Sequence, residues 1–134
     1  KNPAGANEIL RTLALESGEL DLLGILNDRI ADGRDVSWVW DADFELLAGR
    51  VRQVTCAGTR AAELALRLKY AGIPAARLDV VPDLPTALDR ALEQAPVGAG
   101  VYALPTYTAL LELRAELARR GHVGPFYERE PAVA

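Results

Sequence analysis

The order of segments predicts an α/β domain, a three-layer arrangement in which a mostly parallel sheet of about four to six strands carries helices on both faces. Short apolar runs alternate with longer stretches of helical periodicity, and glycines and prolines punctuate the joins. Parallel neighbours need a crossover, and a helix between strands supplies it. The chain is 134 residues long and 50% hydrophobic, the size of one domain with its own core.

Asn2-Pro3-Ala4-Gly5 reads as a turn-like entry, and from Asn7 the apolar positions Ile9, Leu10, Leu13 and Ala14 predict a first helix ending near Ser17-Gly18. Leu20 to Leu26 is apolar apart from Asp21, which predicts a buried strand followed by a loop from Asn27 to Asp35. Asp41-Ala42-Asp43-Phe44-Glu45 has acids where a first helical turn favours them, so a short helix to about Ala48 is expected. Val51 to Ala57 is the second strand. Gly58-Thr59-Arg60 then turns into a helix with the stripe Ala61, Leu64, Ala65, Leu68 and Ala71, stopped by Gly72 and Pro74. Arg77 to Val81 predicts a third strand, Pro85 to Gln94 a helix and Gly98 to Leu104 a fourth strand. Pro105-Thr106 opens a last helix to about Arg120, with Leu110, Leu111, Leu113 and Leu117 offered to the core. Residues 121–134 read as a loosely held tail.

Composition excludes several functions. With 15 Lys+Arg against 19 Asp+Glu and a net charge of −4, no cationic surplus favours nucleic acid. One Cys and one His form no internal disulfide, Cys-cluster zinc site or multi-histidine metal site. No run approaches the roughly 18 apolar residues of a membrane span, so no membrane insertion is expected and the simplest location is cytoplasmic. The chain opens without Met and contains none, which fits an excised part of something longer.

Ligands of open parallel sheets bind beyond the carboxyl ends of the strands. The loop after the first strand concentrates Asp28, Asp32, Asp35, Asp41, Asp43 and Glu45 with Arg29, Arg34 and both tryptophans, Trp38 and Trp40. These acids read either as solvated and capping groups, or as a divalent-cation site or an acid orienting a base. The calcium-loop spacing is absent, so no metal is assigned. Gly58-Thr59-Arg60 combines a strand-to-helix turn with a guanidinium, which suits either an anion or a simple cap, and it lacks the nucleotide-binding glycine fingerprints. Leu104-Pro105-Thr106-Tyr107-Thr108 occupies the matching place after the fourth strand, where its hydroxyls suit either a cap or, as at Gly58, an anion. Cys56 reads as a small core residue, and a nucleophile pair with His122 has no positional support. Trp38 and Trp40 suit either the core or a partner interface.

Several strings in series carry a resemblance: Lys-Asn-Pro-Ala-Gly-Ala-Asn at the start, Leu26-Asn27-Asp28, Ala31-Asp32-Gly33-Arg34-Asp35-Val36-Ser37-Trp38, Asp41 to Glu45, Gly58-Thr59-Arg60-Ala61, Arg67 to Gly72, and Leu104 to Thr108. Over about residues 1–120 the chain resembles the carboxyl-terminal domains of the MurT family, the Mur-ligase-like subunits of lipid II isoglutaminyl synthases. The resemblance implies a Rossmann-like fold and a part in amidating the D-glutamate α-carboxylate of lipid II. In that scheme ATP activates the carboxylate as an acyl phosphate, and ammonia from a GatD-type glutaminase partner attacks it. ATP and Mg²⁺ would be bound mainly by an upstream domain, so the isolated domain is expected to be inactive. An Asp of this domain would complete the partner's Cys-His triad, with Asp35 the matching position and Asp32 and Asp28 the next candidates. Lys1, Asn2, Thr59 and Arg60 would border the substrate cleft. The competing reading is a non-catalytic α/β module that binds an anion or a partner.

Overall fold

The computed structural model describes residues 3–121. Four parallel strands form one sheet in the order β3-β2-β1-β4. They are β1 (Leu20–Ile25), β2 (Val51–Ala57), β3 (Leu78–Val80) and β4 (Val101–Pro105), accompanied by α1 (Pro3–Ala14), α2 (Ala61–Tyr70), α3 (Leu84–Gln94) and α4 (Tyr107–Arg119). The predicted three-layer architecture is therefore present.

Central strand β1 is buried along its whole length and sorts its side chains by alternation. Leu20 and Leu22 enter one core with Leu10, Val54, Leu64 and Leu68 from α1, β2 and α2. Leu23 and Ile25 enter the other, with Leu84, Leu88, Ala109 and Leu113 from α3 and α4. Gly24 lies under α2, where an added Cβ would meet Leu64 Cδ2 at 2.8 Å. In β2 the register shifts where Leu20 pairs with Val51 but Asp21 pairs with Gln53. The extra residue, Arg52, lets Val51 and Val54 serve the same core.

Several elements differ from the sequence reading; β3 is shorter, at Leu78–Val80, and β4 begins at Val101 rather than Gly98. Helix α1 begins at Pro3 rather than Asn7 and ends at Ala14, because proline is pre-organised for a first helical turn and lacks only an N–H that has no helical partner there. The crossover from β1 to β2 holds two four-residue 3-10 turns, Ser37–Trp40 and Phe44–Leu47, in place of a short α-helix. Asp43 precedes the second turn but makes no side-chain capping bond. Bulky β-branched and aromatic residues in Val36 to Trp40 disfavour a longer helix. In α4, Leu110 and Leu113 are buried while Leu111 is 48% exposed and belongs to the solvent face.

The α3 and α4 layer is closed by charge. Asp83 caps α3 by accepting from the Thr86 N–H at 3.1 Å and hydroxyl at 2.6 Å. Arg120 reaches Asp89 at 2.6 Å, the Pro85 carbonyl at 3.1 Å and Glu116 at 2.5 Å. Arg119, then Arg120, hold the Glu116 carboxyl down to about 2 from an ordinary 4.5. A depressed carboxyl stabilises the fold above its unfolded pKa, and that contribution disappears as pH falls through the folded value. Wild type should therefore lose its stability advantage over Glu116→Gln between pH 4.5 and about 2, as read by denaturant unfolding across that range.

Gly58, just past β2, has φ +98°, and an added Cβ would meet the Leu26 carbonyl oxygen at 2.5 Å and Asn27 Oδ1 at 2.7 Å. Gly58→Ala should cost roughly 2–4 kcal/mol in denaturant unfolding, from left-handed strain plus overlap with backbone that cannot step aside.

Candidate functional site

The carboxyl ends of the strands converge on Asn27, the buried residue two positions beyond the end of β1. Its Oδ1 accepts the Thr59 N–H at 3.0 Å, its Nδ2 donates to Thr108 Oγ1 at 3.0 Å, and its backbone N–H donates to Thr106 Oγ1 at 3.1 Å. The exits of β1, β2 and β4 are thus joined through one amide. Thr106 occupies the position before α4 without capping it, because its hydroxyl serves Asn27 instead. Neighbouring β1 and β4 straddle the point where the strand order reverses, the usual ligand crevice of such sheets. Here the chain's own polar groups fill it.

Each of the three candidate acids has a distinct environment. Asp32 is 2% exposed, and its oxygens accept the Thr108 N–H at 2.7 Å, the Thr108 hydroxyl at 2.6 Å and the Arg29 N–H at 3.1 Å. It closes the turn after β1 and caps the first turn of α4 from across the sheet. Asp28 is half-buried and takes the Thr59 hydroxyl at 2.9 Å and Arg60 at 3.2 Å, contacts that hold its carboxyl below the usual range. Asp35 is exposed; its Oδ1 accepts the Ser37 N–H at 2.9 Å, and Ser37 keeps the carboxyl below its ordinary value. At neutral pH Asp35 is an ionised acceptor facing solvent.

The Gly58-Thr59-Arg60 turn does not present free donors to an anion. The Gly58 N–H goes to the Pro82 carbonyl at 3.0 Å, the Thr59 N–H to Asn27, and the Arg60 N–H to the Leu26 carbonyl at 2.9 Å. The Arg60 guanidinium is shared by Asp28 and Glu63. Thr59 is no simple helix cap either, since its hydroxyl binds Asp28 and Arg60 stands at the cap position. A cleft of about 360 Å³ lies beside these exits. Its wall carries Asp83 and Glu112, the latter paired with Arg29 at 2.9 Å, so it is poorly suited to phosphate. The residues present therefore do not fit a nucleotide triphosphate. Among the described residues no group of three or more His, Cys, Asp or Glu could hold a metal ion, and no helix is long and apolar enough to cross a membrane.

The tryptophans separate. Trp38 is partly buried against the α1 and α2 core, while Trp40 is 41% exposed and lies 5.8 Å from the Tyr70 ring. Cys56 is fully buried, and burial, with the Asp79 charge, pushes its thiol up to about 12. It is a core residue and cannot serve as a nucleophile in this state. Lys1, Asn2 and His122 lie outside the described residues, as does the expected tail beyond Gly121.

Fold and site define a Rossmann-like domain of the Mur ligase carboxyl-terminal type, with its switch-point crevice filled by its own side chains. The family model described as "MurT ligase C-terminal" matches residues 1–110. The chain is 38% identical over 121 residues to the MurT subunit of the glutamine-hydrolysing lipid II isoglutaminyl synthase of Streptococcus pneumoniae, covering 90% of this chain and 27% of that protein. It is 38% identical over 125 residues to the corresponding MurT subunit of Staphylococcus aureus, covering 89% and 26%. The chain belongs to the MurT ligase C-terminal family, and it spans about a quarter of the length of these curated relatives.

Sequence reasoning missed Asn27 as the link between strand exits and Arg67 as a buried cation. An Asn directly after an apolar run and an Arg beside an apolar stripe were the available signals, and both are common in ordinary loops and helices. The different commitments of Asp32 and Asp35 predict different costs. Asp32→Ala should lose about 1.5–3 kcal/mol of stability, whereas Asp35→Ala should unfold at the same denaturant midpoint as wild type, both read by denaturant unfolding.

Proposed function

We propose that this domain is the carboxyl-terminal part of an ATP-dependent ligase subunit that amidates the D-glutamate α-carboxylate of lipid II to D-isoglutamine. Ammonia comes from a separate GatD-type glutaminase subunit, and Asp35 supplies the acid of that glutaminase's triad. The observation that carries this reading is the contrast within one loop. Asp32 is buried on three donors and Asp28 is held by Thr59 and Arg60, whereas Asp35 is exposed, held only by neighbouring Ser37, and open to a second protein.

The chemistry asked of Asp35 is modest. Its carboxylate accepts the N–H of the partner's histidine, fixing tautomer and orientation, so that the other ring nitrogen takes the proton of the partner's thiol. The thiolate then attacks the glutamine carboxamide, the imidazolium returns its proton to the nitrogen that leaves as ammonia, and water hydrolyses the resulting thioester to glutamate and free thiol. Membership in the MurT family and the activity named for its relatives support the wider assignment. Since no phosphate cradle forms at the Gly58 turn, ATP and Mg²⁺ are assigned mainly to parts of the subunit outside this domain, and the isolated domain is expected to be inactive. Thr59 and Arg60 stand at the same edge, where they border the substrate cleft of the assembled ligase. Such work belongs in the cytoplasm.

In the reconstituted complex, Asp35→Asn should reduce glutamine hydrolysis by about 10²-fold or more, comparable in kind to other triads whose orienting acid is neutralised. Asp32→Asn should act chiefly through stability. Unchanged hydrolysis in Asp35→Asn together with abolished hydrolysis in a folded Asp32→Asn would move the assignment to Asp32.

A further inference from the structure

We propose that Arg67, on α2, is a positioning residue that holds the Asp35 loop in its working conformation; this rests on the reading of Asp35 given above. Arg67 is 3% exposed, an unusual placement for a guanidinium. Its Nε donates to the Val39 carbonyl at 2.7 Å, and its Nη2 donates to the Ala42 carbonyl at 2.7 Å and to Glu45 Oε1 at 2.9 Å. The guanidinium carbon lies 5.5 Å from the centroids of both the Trp40 and Phe44 rings. These contacts all fall between Val39 and Glu45.

That segment needs outside support. It consists of two four-residue 3-10 turns, which are too short to be stable alone. Between it, α2 and the sheet lies an apolar cavity of about 40 Å³, lined in part by Trp38, Val39, Phe44, Leu47, Leu64 and Leu68. Packing beneath the segment is therefore incomplete, and directional bonds to buried carbonyls fix what van der Waals contact leaves loose. The Glu45 carboxylate is 60% exposed, so this pair adds little against water. From the α1 side, Asn7 Oδ1 accepts the Asp43 N–H at 2.7 Å and supplies a second tether. Asp35 is joined to the clamped segment through Ser37, the first residue of the first 3-10 turn. A shift of Val39 and Ala42 thus becomes a shift of the Asp35 carboxylate.

Both tryptophans of the chain lie in the clamped region, so intrinsic fluorescence reports on it selectively. The test compares wild type with Arg67→Met and Arg67→Lys, the latter keeping the charge but having one nitrogen in place of the fork and covering the case in which Arg67→Met does not fold. Leu113→Ala, which weakens the α3 and α4 core, is the stability-matched control. In the full 134-residue chain, Arg67 variants with wild-type helical circular dichroism should show stronger acrylamide quenching. In the full ligase subunit assembled with its glutaminase, kcat for glutamine hydrolysis should fall by about tenfold or more with KM for glutamine unchanged, while the control keeps wild-type kcat. Unchanged quenching, or increased quenching with wild-type kcat, overturns the proposal. If Asp35→Asn itself leaves hydrolysis intact, the triad reading fails separately, and the quenching still shows whether Arg67 holds the segment.

Discussion

The side-chain amide of Asn27 sets the geometry of the functional edge. A parallel ladder ends where its strands end, and the exits beyond it have no further sheet partners to fix their spacing. Asn27 supplies that spacing with one group, accepting from the turn after β2 and donating toward the first turn of α4, while its own backbone N–H meets Thr106. Gly58 follows from the same constraint, since a side chain there would overlap Asn27 Oδ1 and the Leu26 carbonyl. Asp32 then extends the network by capping α4. A crevice that many related architectures leave open for a ligand is consumed in holding the loops together, and the exposed acid is displaced outward to Asp35.

The two faces of the sheet are finished by different physics. On the α3 and α4 face, Arg120 just past the end of α4 bonds Glu116 of its own helix and Asp89 in the middle of α3, tying the two helices together. The other face is covered partly by α1 and α2 and partly by the 3-10 segment, whose own short-range hydrogen bonds are supplemented by bonds from Arg67 and Asn7. Regular helices carry stability on one side, while an irregular segment held by side chains carries the loop with Asp35 on the other.

Strand β2 coincides with its predicted span because Val51 to Ala57 combines β-branched residues with sharp glycine boundaries on both sides. Likewise α2 was legible from the stripe Ala61, Leu64, Leu68 and Ala71, all of them buried. The β1 to β2 crossover was not, because its shape depends on a cation 25 and 28 residues away in sequence. The same limit applies to the acids. Their clustering after β1 could be read from the chain, but the difference between Asp32 and Asp35 lies in Thr108, 76 residues from Asp32 and brought near only by the sheet. The resemblance singled out Asp35 through its motif, while composition alone left every acid of the loop equivalent.

Cys56 has a practical consequence. It is the sole cysteine of the chain, sealed under α2 with its thiol held protonated far above physiological pH. The folded domain is thus a silent background for thiol chemistry. A cysteine introduced on the exposed rim, at Ile30 or Arg34 for example, would be the reactive thiol of the native molecule. Spin labels or cross-linkers attached there could map distances from the acidic loop to whatever protein it meets, without first engineering the scaffold.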